Sequence, residues 1–229
     1  MKSLFTSLVL CSGLLAQAPA PATKSGSSKT GTAVARPSLM NPKSLHSKAP
    51  EVFKARFTTT KGDFVVEVHR DWAPLGADRF YNLVRNGFFT NAAFFRVVKG
   101  FVVQFGLSAN PAVNKAWADA KIPDDPVKES NKEGYLVFAT AGPNTRTTQL
   151  FINFADNGRL DQMGFAPFGM VTEGMDIVKQ IYDGYGQTPD QGKITDEGDA
   201  YISKNFPMID KIKLAKILPA APAAAPAAK

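Results

Sequence analysis

Phenylalanine is the residue whose distribution most constrains the fold of this chain. Of 17 phenylalanines in 229 residues, 16 lie between Phe53 and Phe206, whereas the two ends consist largely of small and polar residues. A core forms only where large apolar side chains are available, so the fold is confined to about 160 residues, enough for one domain that buries roughly 70% of its unfolded surface. We therefore predict a single domain over residues 51–217.

The N-terminal end has the composition of a targeting segment. Residues 1–18 have the form of a secretory signal peptide, with Lys2 before a largely apolar run and small residues at Ala16 and Ala18. Cleavage after either alanine is open. A lipoprotein linked through Cys11 is disfavoured, because Leu10 stands where a small residue is expected. We expect an exported protein, periplasmic or extracellular, with no stable membrane insertion after cleavage.

Two low-complexity segments flank the domain. Residues 19–50 are rich in Ala, Pro, Ser, Thr, Gly and Lys, and residues 218–229 are almost entirely Ala and Pro. Such compositions cannot bury enough apolar surface to offset the entropy of ordering the chain. They predict a disordered linker and a disordered tail.

The net charge of +7 is concentrated at these ends. Six of the 27 basic residues precede Glu51, the first acidic residue, and residues 51–210 hold 17 basic against 20 acidic side chains. A general nucleic-acid binder carries its positive charge on the folded surface. The charge distribution therefore predicts no nucleic-acid partner.

Cysteine and histidine are too scarce for several kinds of catalytic site. Cys11 is the only cysteine, and His46 and His69 are the only histidines. A domain without a thiol excludes disulfide frameworks, cysteine-containing zinc sites and cysteine nucleophiles, and a Ser-His-Asp triad would have to use His69. We expect a chemistry that needs no conventional base, no metal and no cofactor.

Alternating apolar and polar residues predict β-structure through most of the domain. Residues 53–69 and 93–106 each form two such runs around a Lys-Gly turn, which is typical of β-hairpins. Helical spacing of apolar residues predicts two main helices, at residues 74–89 and 173–182. Further strands are predicted at residues 135–140, 149–154, 165–171 and 208–217. This pattern predicts a mainly β fold, a closed antiparallel barrel capped by helices, with residues 107–133 unassigned.

Three segments resemble the cyclophilin family of peptidyl-prolyl isomerases. The family's Phe-His-Arg motif, Gly-Phe pair and following Gln are similar to FFRVVKGFVVQFG at residues 94–106. Its Ala-Gly-Pro-Asn-Thr run and Gln-x-Phe are similar to FATAGPNTRTTQLFIN at residues 138–153, and its Leu-Asp loop, Phe-Gly strand end and second helix are similar to RLDQMGFAPFGMVTEGMDIV at residues 159–178. The resemblance implies a closed eight-stranded antiparallel barrel capped by two α-helices. It also implies catalysis of cis–trans isomerisation at X-Pro bonds of exported or unfolded proteins.

The resemblance implies a site composed of a hydrogen-bond donor, an apolar socket and a strip of main chain. Arg96 is the implied donor to the prolyl amide, and Phe101 and Gln104 complete the implied catalytic set. The implied substrate-binding residues are Val102, Ala139, Thr140, Ala141, Gln149, Phe151, Leu160 and Phe165. The apolar members would enclose the pyrrolidine ring, and the glutamines would bind the substrate backbone or orient Arg96.

Five positions depart from the family pattern. The family's His before the Arg, its Met, Asn and rim Trp, and its later His are replaced by Phe95, Val102, Thr140, Arg159 and either Gly164 or Phe165. From these changes we expect weak binding of the cyclic inhibitor ciclosporin. We also expect Arg159 to favour acidic residues near the proline.

Two other functions stay open on the sequence. A proline-peptide-binding chaperone module with little turnover would use the same groove. This alternative stays open because Val102 and Phe165 depart from the family pattern. A barrel that carries a small ligand is disfavoured, because bulky phenylalanines fill an eight-stranded interior. The expected partners are proline-containing polypeptides, and we expect a monomer.

Overall fold

A computed structural model describes residues 37–220 of the chain. The predicted signal peptide and most of the predicted linker and tail lie outside these residues. Among residues 37–220 the chain forms eight β-strands: β1 (Val52–Thr59), β2 (Asp63–His69), β3 (Arg96–Val98), β4 (Val102–Phe105), β5 (Tyr135–Phe138), β6 (Leu150–Asn153), β7 (Pro167–Glu173) and β8 (Ile212–Ile217). Both predicted hairpins are present, and their turns contain Gly62 and Gly100 at φ values of +143° and +69°, which glycine adopts without steric cost.

The eight strands form one antiparallel sheet with the order β3-β4-β6-β5-β7-β2-β1-β8. The sheet curls into a half-barrel, so the prediction of a closed barrel is wrong. The edge strands β3 and β8 do not pair with each other. The segment before β3 instead meets the start of β8 at an isolated bridge between Ala93 and Lys211 and through hydrogen bonds from Phe94 N to Asp210 O at 3.0 Å and from Ile212 N to Ala92 O at 2.8 Å. Further along β3, the N–H of Val97 donates instead to Gly186 O at 2.9 Å, so a loop covers this edge in place of a strand.

Within residues 37–220, five α-helices lie around the sheet: α1 (Pro74–Arg85), α2 (Pro111–Trp117), α3 (Met175–Lys179), α4 (Gln191–Glu197) and α5 (Asp199–Asn205). The first predicted helix is present as α1, but the predicted number of two helices is wrong. The second predicted helix is only the five residues of α3, because β7 continues to Glu173 and Gly174 takes a φ of +77° before the helix begins. A Cβ at Gly174 would lie 2.5 Å from Asp63 O, which explains why glycine occupies the position where the chain passes the start of β2.

Packed phenylalanine rings form the centre of the main core. Phe57 of β1 and Phe64 of β2 are register partners, and their rings stack with centroids 4.9 Å apart. The ring centroid of Phe80 on α1 lies 6.1 Å from that of Phe57 and 5.2 Å from that of Phe168 on β7, so the helix packs against one face of the sheet. Such aromatic pairs stabilise the core by about 0.5–1.5 kcal/mol each beyond their buried area.

The last part of the predicted linker is packed against the domain. Two short 3-10 helices, Pro37–Met40 and Pro42–Ser44, lead into β1, and the side chain of Leu39 is buried. The backbone oxygen of Leu39 accepts a hydrogen bond from Trp117 Nε1 at 2.9 Å, and Asn82 Nδ2 donates to Ser47 O at 2.7 Å. Residues 37–50 therefore belong to the folded domain, a difference from the predicted boundary that arises because isolated apolar residues and backbone groups find partners on α1 and α2.

The unassigned segment 107–133 anchors the start of α1. Asp125 accepts hydrogen bonds from the N–H groups of Leu75 and Gly76 at 3.0 and 2.8 Å, satisfying donors at the helix N-terminus. The same carboxylate lies 3.1 Å from Arg146 Nη1, and both side chains are almost fully buried. Residues before β5 and after β5 are thereby connected to the same helix end.

Candidate active site

The antiparallel register places the implied polar residues on neighbouring strands. Arg96 of β3 is the register partner of Gln104 of β4, which is in turn the partner of Phe151 of β6. Arg96 Nη1 donates to Gln104 Oε1 at 3.2 Å, and Gln104 Nε2 donates to Gln149 Oε1 at 2.8 Å. The predicted residues Arg96, Gln104 and Gln149 thus form one hydrogen-bonded row.

A second anchor holds Arg96 from outside the sheet. Arg96 Nε donates to Gln187 Oε1 at 2.7 Å, and Gln187 lies on the loop that covers the edge of β3. Burial lowers the pKa of Arg96 from its usual value. The planar guanidinium is therefore held at two of its nitrogens by neutral amides, leaving the remaining N–H groups available as donors.

The implied socket residues form a separate apolar cluster beside this row. Val102, Phe151 and Leu160 are buried together with Val137, and Phe101, Ala139 and Phe165 pack against them while remaining partly exposed. The rings of Phe151 and Phe165 meet edge to face with centroids 5.6 Å apart. All the predicted apolar socket residues therefore come together, in a cluster distinct from the main core.

Two hydrogen bonds fix the backbone of Phe101. Its carbonyl oxygen accepts from Phe154 N at 2.8 Å and from Asn157 Nδ2 at 3.0 Å. The guanidinium carbons of Arg96 and Arg159 lie 5.7 and 4.9 Å from the centroid of the Phe101 ring. The Phe101 ring therefore lies within cation–π range of both side chains.

Buried asparagines extend this support beneath the 154–165 loop. Asn157 Nδ2 also donates to Asn153 Oδ1 at 2.8 Å, and Asn153 Nδ2 donates to Asn131 Oδ1 at 3.2 Å. Asn131 Nδ2 then donates to Asp161 Oδ1 at 2.7 Å and to Phe165 O at 2.9 Å. This chain of amides connects opposite walls of the socket through groups that are themselves satisfied.

Asp161 closes the asparagine chain as a carboxylate. Burial raises the pKa of Asp161, but hydrogen bonds from Asn131 and Ser130 outweigh that effect and leave the pKa below its usual value. The ionised form is therefore the one that the folded state stabilises.

Part of the hydrogen-bonding capacity of the main chain after β5 is used within the protein. Ala139 N donates to Gln149 O at 2.9 Å, and Ala141 N donates to Thr145 Oγ1 at 3.0 Å. The Thr140 hydroxyl is hydrogen-bonded to Gly142 O and to Thr145 Oγ1. Because the N–H groups of Ala139 and Ala141 have partners within the protein, a bound peptide at this strip would have to pair with the carbonyl oxygens or with the N–H of Thr140.

Three residues that shape the site were not predicted from the sequence. Val137 is fully buried at the base of the socket, Gln187 holds Arg96, and Asn157 holds Phe101. Val137 could have been found from its cross-strand partner Phe151 once β5 and β6 were paired. Gln187 lies 91 residues from Arg96 in a loop without periodicity, so no local pattern indicates it.

Phe95, which replaces the family's histidine before the Arg, points away from the site. It belongs to a different buried cluster with Leu107, Tyr201, Ile202 and Phe206, where α5 covers it. Since β-strand neighbours face opposite sides of the sheet, Arg96 on the next position faces the socket. The substitution therefore changes the packing under α5 rather than the lining of the socket.

Across the described residues, the only histidine on a strand of the sheet has partners away from the site. His69 lies on β2, where it is hydrogen-bonded to Glu67 at 2.9 Å and stacked on Trp72. Among residues 37–220, no three His, Cys, Asp or Glu side chains converge in a way that could hold a metal ion. Within the same residues, no helix is long and apolar enough to cross a membrane.

Comparison with known proteins identifies the family. The model of the cyclophilin type peptidyl-prolyl cis-trans isomerases matches residues 54–202. This chain belongs to the cyclophilin family. The peptidyl-prolyl cis-trans isomerase of Acinetobacter baylyi is 36% identical over 129 residues, covering 54% of this chain and 68% of that protein. Peptidyl-prolyl cis-trans isomerase B of Escherichia coli is 33% identical over 139 residues, covering 55% and 81%.

Solved cyclophilin structures show the same fold. The crystal structure of a Cryptosporidium parvum cyclophilin type peptidyl-prolyl cis-trans isomerase aligns with a TM-score of 0.54 at 21% identity, covering 74% of this chain and 99% of that one. A second structure of that protein, in the presence of the dipeptide Ala-Pro, aligns with a TM-score of 0.56 at the same identity. The predicted family and the prediction of an isomerase enzyme are confirmed.

Proposed function

We propose that this cyclophilin isomerises X-Pro bonds in exported or unfolded polypeptides, with Arg96 as the hydrogen-bond donor and the Val102–Phe151–Leu160 cluster as the proline socket. The observation that carries the proposal is the row in which Arg96 is held by Gln187 and Gln104 beside an apolar cluster that is separate from the main core. A hydrogen-bond donor beside an apolar surface is the pairing that this reaction requires.

The chemistry explains why such a simple site is sufficient. Rotation about a peptide C–N bond is opposed by roughly 18–20 kcal/mol of lost resonance, and no covalent bond is broken. In the twisted state the prolyl nitrogen regains its lone pair. An N–H donor from Arg96 at that nitrogen stabilises the twisted state more than the planar amide, which is the condition for acceleration.

The remaining residues have supporting roles in this proposal. Phe101, Phe151, Leu160, Val102 and Phe165 bind the pyrrolidine ring and displace water from the amide. Water stabilises the more polar planar form, so its removal lowers the barrier. Gln104 holds Arg96, and Gln149 holds Gln104. The carbonyl groups of Ala139, Thr140 and Ala141, together with the N–H of Thr140, are left to anchor an extended peptide.

We extend the proposal to location and state. Residues 1–18 support export by their resemblance to a signal peptide, and we propose that the mature protein acts outside the cytoplasm as a monomer without a cofactor. Mass spectrometry of the protein recovered from periplasmic and extracellular fractions tests cleavage after Ala16 or Ala18. Recovery of the uncleaved chain in the cytoplasm alone refutes export.

A protease-coupled assay with a proline tetrapeptide tests the activity. We expect the full chain to accelerate the cis-to-trans step, and Arg96→Ala to lose most of that acceleration while still binding the peptide. A peptide-binding module with little turnover would instead protect unfolded clients from aggregation equally well with Arg96 or Ala at this position. Binding without acceleration by the unmodified chain contradicts the proposed isomerase role.

A further inference from the structure

Two guanidinium groups lie beside the aromatic wall of the socket. Arg159 Cζ is 4.9 Å and Arg96 Cζ is 5.7 Å from the centre of the Phe101 ring, both within the range of cation–π contacts. Arg159 directly precedes Leu160, which is buried in the socket. Positive charge is therefore concentrated next to the place where a proline ring would bind.

Neither guanidinium has a carboxylate partner in the part of the chain that the structure describes. Arg96 is held by the amides of Gln187 and Gln104, and Arg159 forms none of the ion pairs found there. Arg70, by contrast, is paired with Asp78 at 2.8 Å. An acidic side chain on a bound peptide would meet positive charge that the protein does not itself neutralise.

Most nearby carboxylates already have partners. Asp183 is paired with Lys99 at 2.7 Å, and Asp161 is hydrogen-bonded to Asn131 and Ser130. Asp156 shares with Arg159 a hollow of about 380 Å³, also lined by Gly100, Phe101, Asn157 and Gly158. Asp156 Oδ1 accepts a hydrogen bond from Glu133 N at 3.0 Å, and its charge is the main local opposition to an acidic ligand.

We propose that Arg159 gives this cyclophilin a preference for prolines flanked by aspartate or glutamate. This inference rests on the proposed function, because it specifies the substrate class of the same socket. The positive charge is local, since residues 51–210 as a whole hold more acidic than basic groups. The preference comes from short-range pairing of a substrate carboxylate with Arg159, reinforced by Arg96.

The size of the preference follows from the exposure of Arg159. Ion pairs in contact with water change an equilibrium by about 1.4- to 5-fold, and like charges oppose binding by a similar factor. We expect kcat/KM to be about 3-fold higher for a glutamate-flanked proline than for a glutamine-flanked one, and about 10-fold higher than for a lysine-flanked one. The preference should shrink as salt shortens the Debye length from about 30 Å at 0.01 M to about 3 Å at 1 M.

NMR exchange spectroscopy on the full chain tests the proposal with peptides that differ only beside the proline. Glu, Gln, Ala or Lys is placed immediately before the proline in one series and immediately after it in another. We expect the Glu over Lys preference in at least one series, loss of it in Arg159→Gln, and its retention in Arg159→Lys. Lys213→Gln, which removes the same charge from an exposed position on β8 outside the site, is expected to keep it.

Asp156→Asn provides a gain-of-preference variant, because it removes a negative charge from the hollow and keeps an acceptor for Glu133 N. Equal rates for the Glu and Lys peptides in the unmodified chain overturn the inference, as does a preference that survives in Arg159→Gln. The Ala-flanked peptide separates the two levels. If it is isomerised without charge discrimination, only this inference fails, whereas absence of turnover on every peptide refutes the proposed function itself.

Discussion

Gln104 is one of the two residues that hold Arg96 in position, and it is the buried one, so Gln104→Leu is an informative perturbation. Gln104 is 8% exposed, and its Oε1 accepts from Arg96 Nη1 at 3.2 Å while its Nε2 donates to Gln149 Oε1 at 2.8 Å. Leucine fills a similar volume and removes both hydrogen bonds. Arg96 then keeps only the contact with Gln187 at its Nε.

The expected loss follows from these contacts. A hydrogen bond to a charged group contributes about 1.5–3 kcal/mol, and the 3.2 Å separation places this one at the weaker end. We therefore expect kcat/KM to fall about 10-fold, corresponding to about 1.4 kcal/mol. Gln187→Ala should reduce it less, by about 2-fold, because Gln187 is exposed and water can replace its amide.

A double-mutant cycle in the protease-coupled assay measures the coupling between the two anchors. Each glutamine restrains rotation of the same guanidinium, so the double variant should lose more than the product of the two single effects. Urea unfolding of each variant provides the stability control. Gln104→Leu that is stably folded and within 2-fold of the unmodified rate would show that positioning of Arg96 does not limit catalysis.

Three further predictions test the socket, the loop beneath it and the close approach of Gly106 to the backbone of Thr148. Phe151→Ala should destabilise the fold by about 3–5 kcal/mol in urea unfolding and raise KM for the proline peptide, and an unchanged KM contradicts the socket assignment. Because the pKa of Asp161 is lowered in the folded protein, the stabilisation from its carboxylate is fully present above the unfolded pKa of about 3.9 and is lost as the pH falls through the lower folded pKa. The difference in unfolding free energy between the unmodified chain and Asp161→Asn should therefore narrow from pH 7 to pH 3. A difference that widens over this range contradicts the prediction. Gly106→Ala should lower the free energy of unfolding by more than about 1 kcal/mol, because Gly106 has a φ of +104° and the new Cβ would lie 2.3 Å from Thr148 O. Unchanged thermal stability would contradict this prediction.

The sequence predicts most strands because their alternation is local. Residues 53–69 contain the complete β1–β2 hairpin, and the structure pairs Phe57 with Phe64 as that alternation requires. Helices α4 and α5 escaped prediction because each has only seven residues, too few for a helical period to stand out. Openness of the barrel also depends on non-local contacts, since the loop carrying Gly186 occupies the edge of β3.

The site divides in the same way. The socket residues Val102, Phe151 and Leu160 were predicted through short motifs. Strand register brings Val102 and Phe151 together, and Leu160 packs on them from the 3-10 helix Gly158–Met163. The supporting amides were not, because a buried Asn or Gln has no sequence pattern that distinguishes it from one on the surface. Gln187 and Asn157 acquire their roles only when loops distant in sequence fold against β3 and the 99–101 turn.

The isomerase rate of Arg96→Lys tests the central claim most directly. Lysine keeps the positive charge and loses the planar fork that reaches Gln187 and Gln104 while donating to the prolyl nitrogen. One positioned donor is worth about 2.7–4 kcal/mol, so kcat/KM should fall about 100- to 1,000-fold with little change in unfolding free energy. A folded Arg96→Lys protein that retains the unmodified kcat/KM contradicts the claim that a directed guanidinium donor drives catalysis.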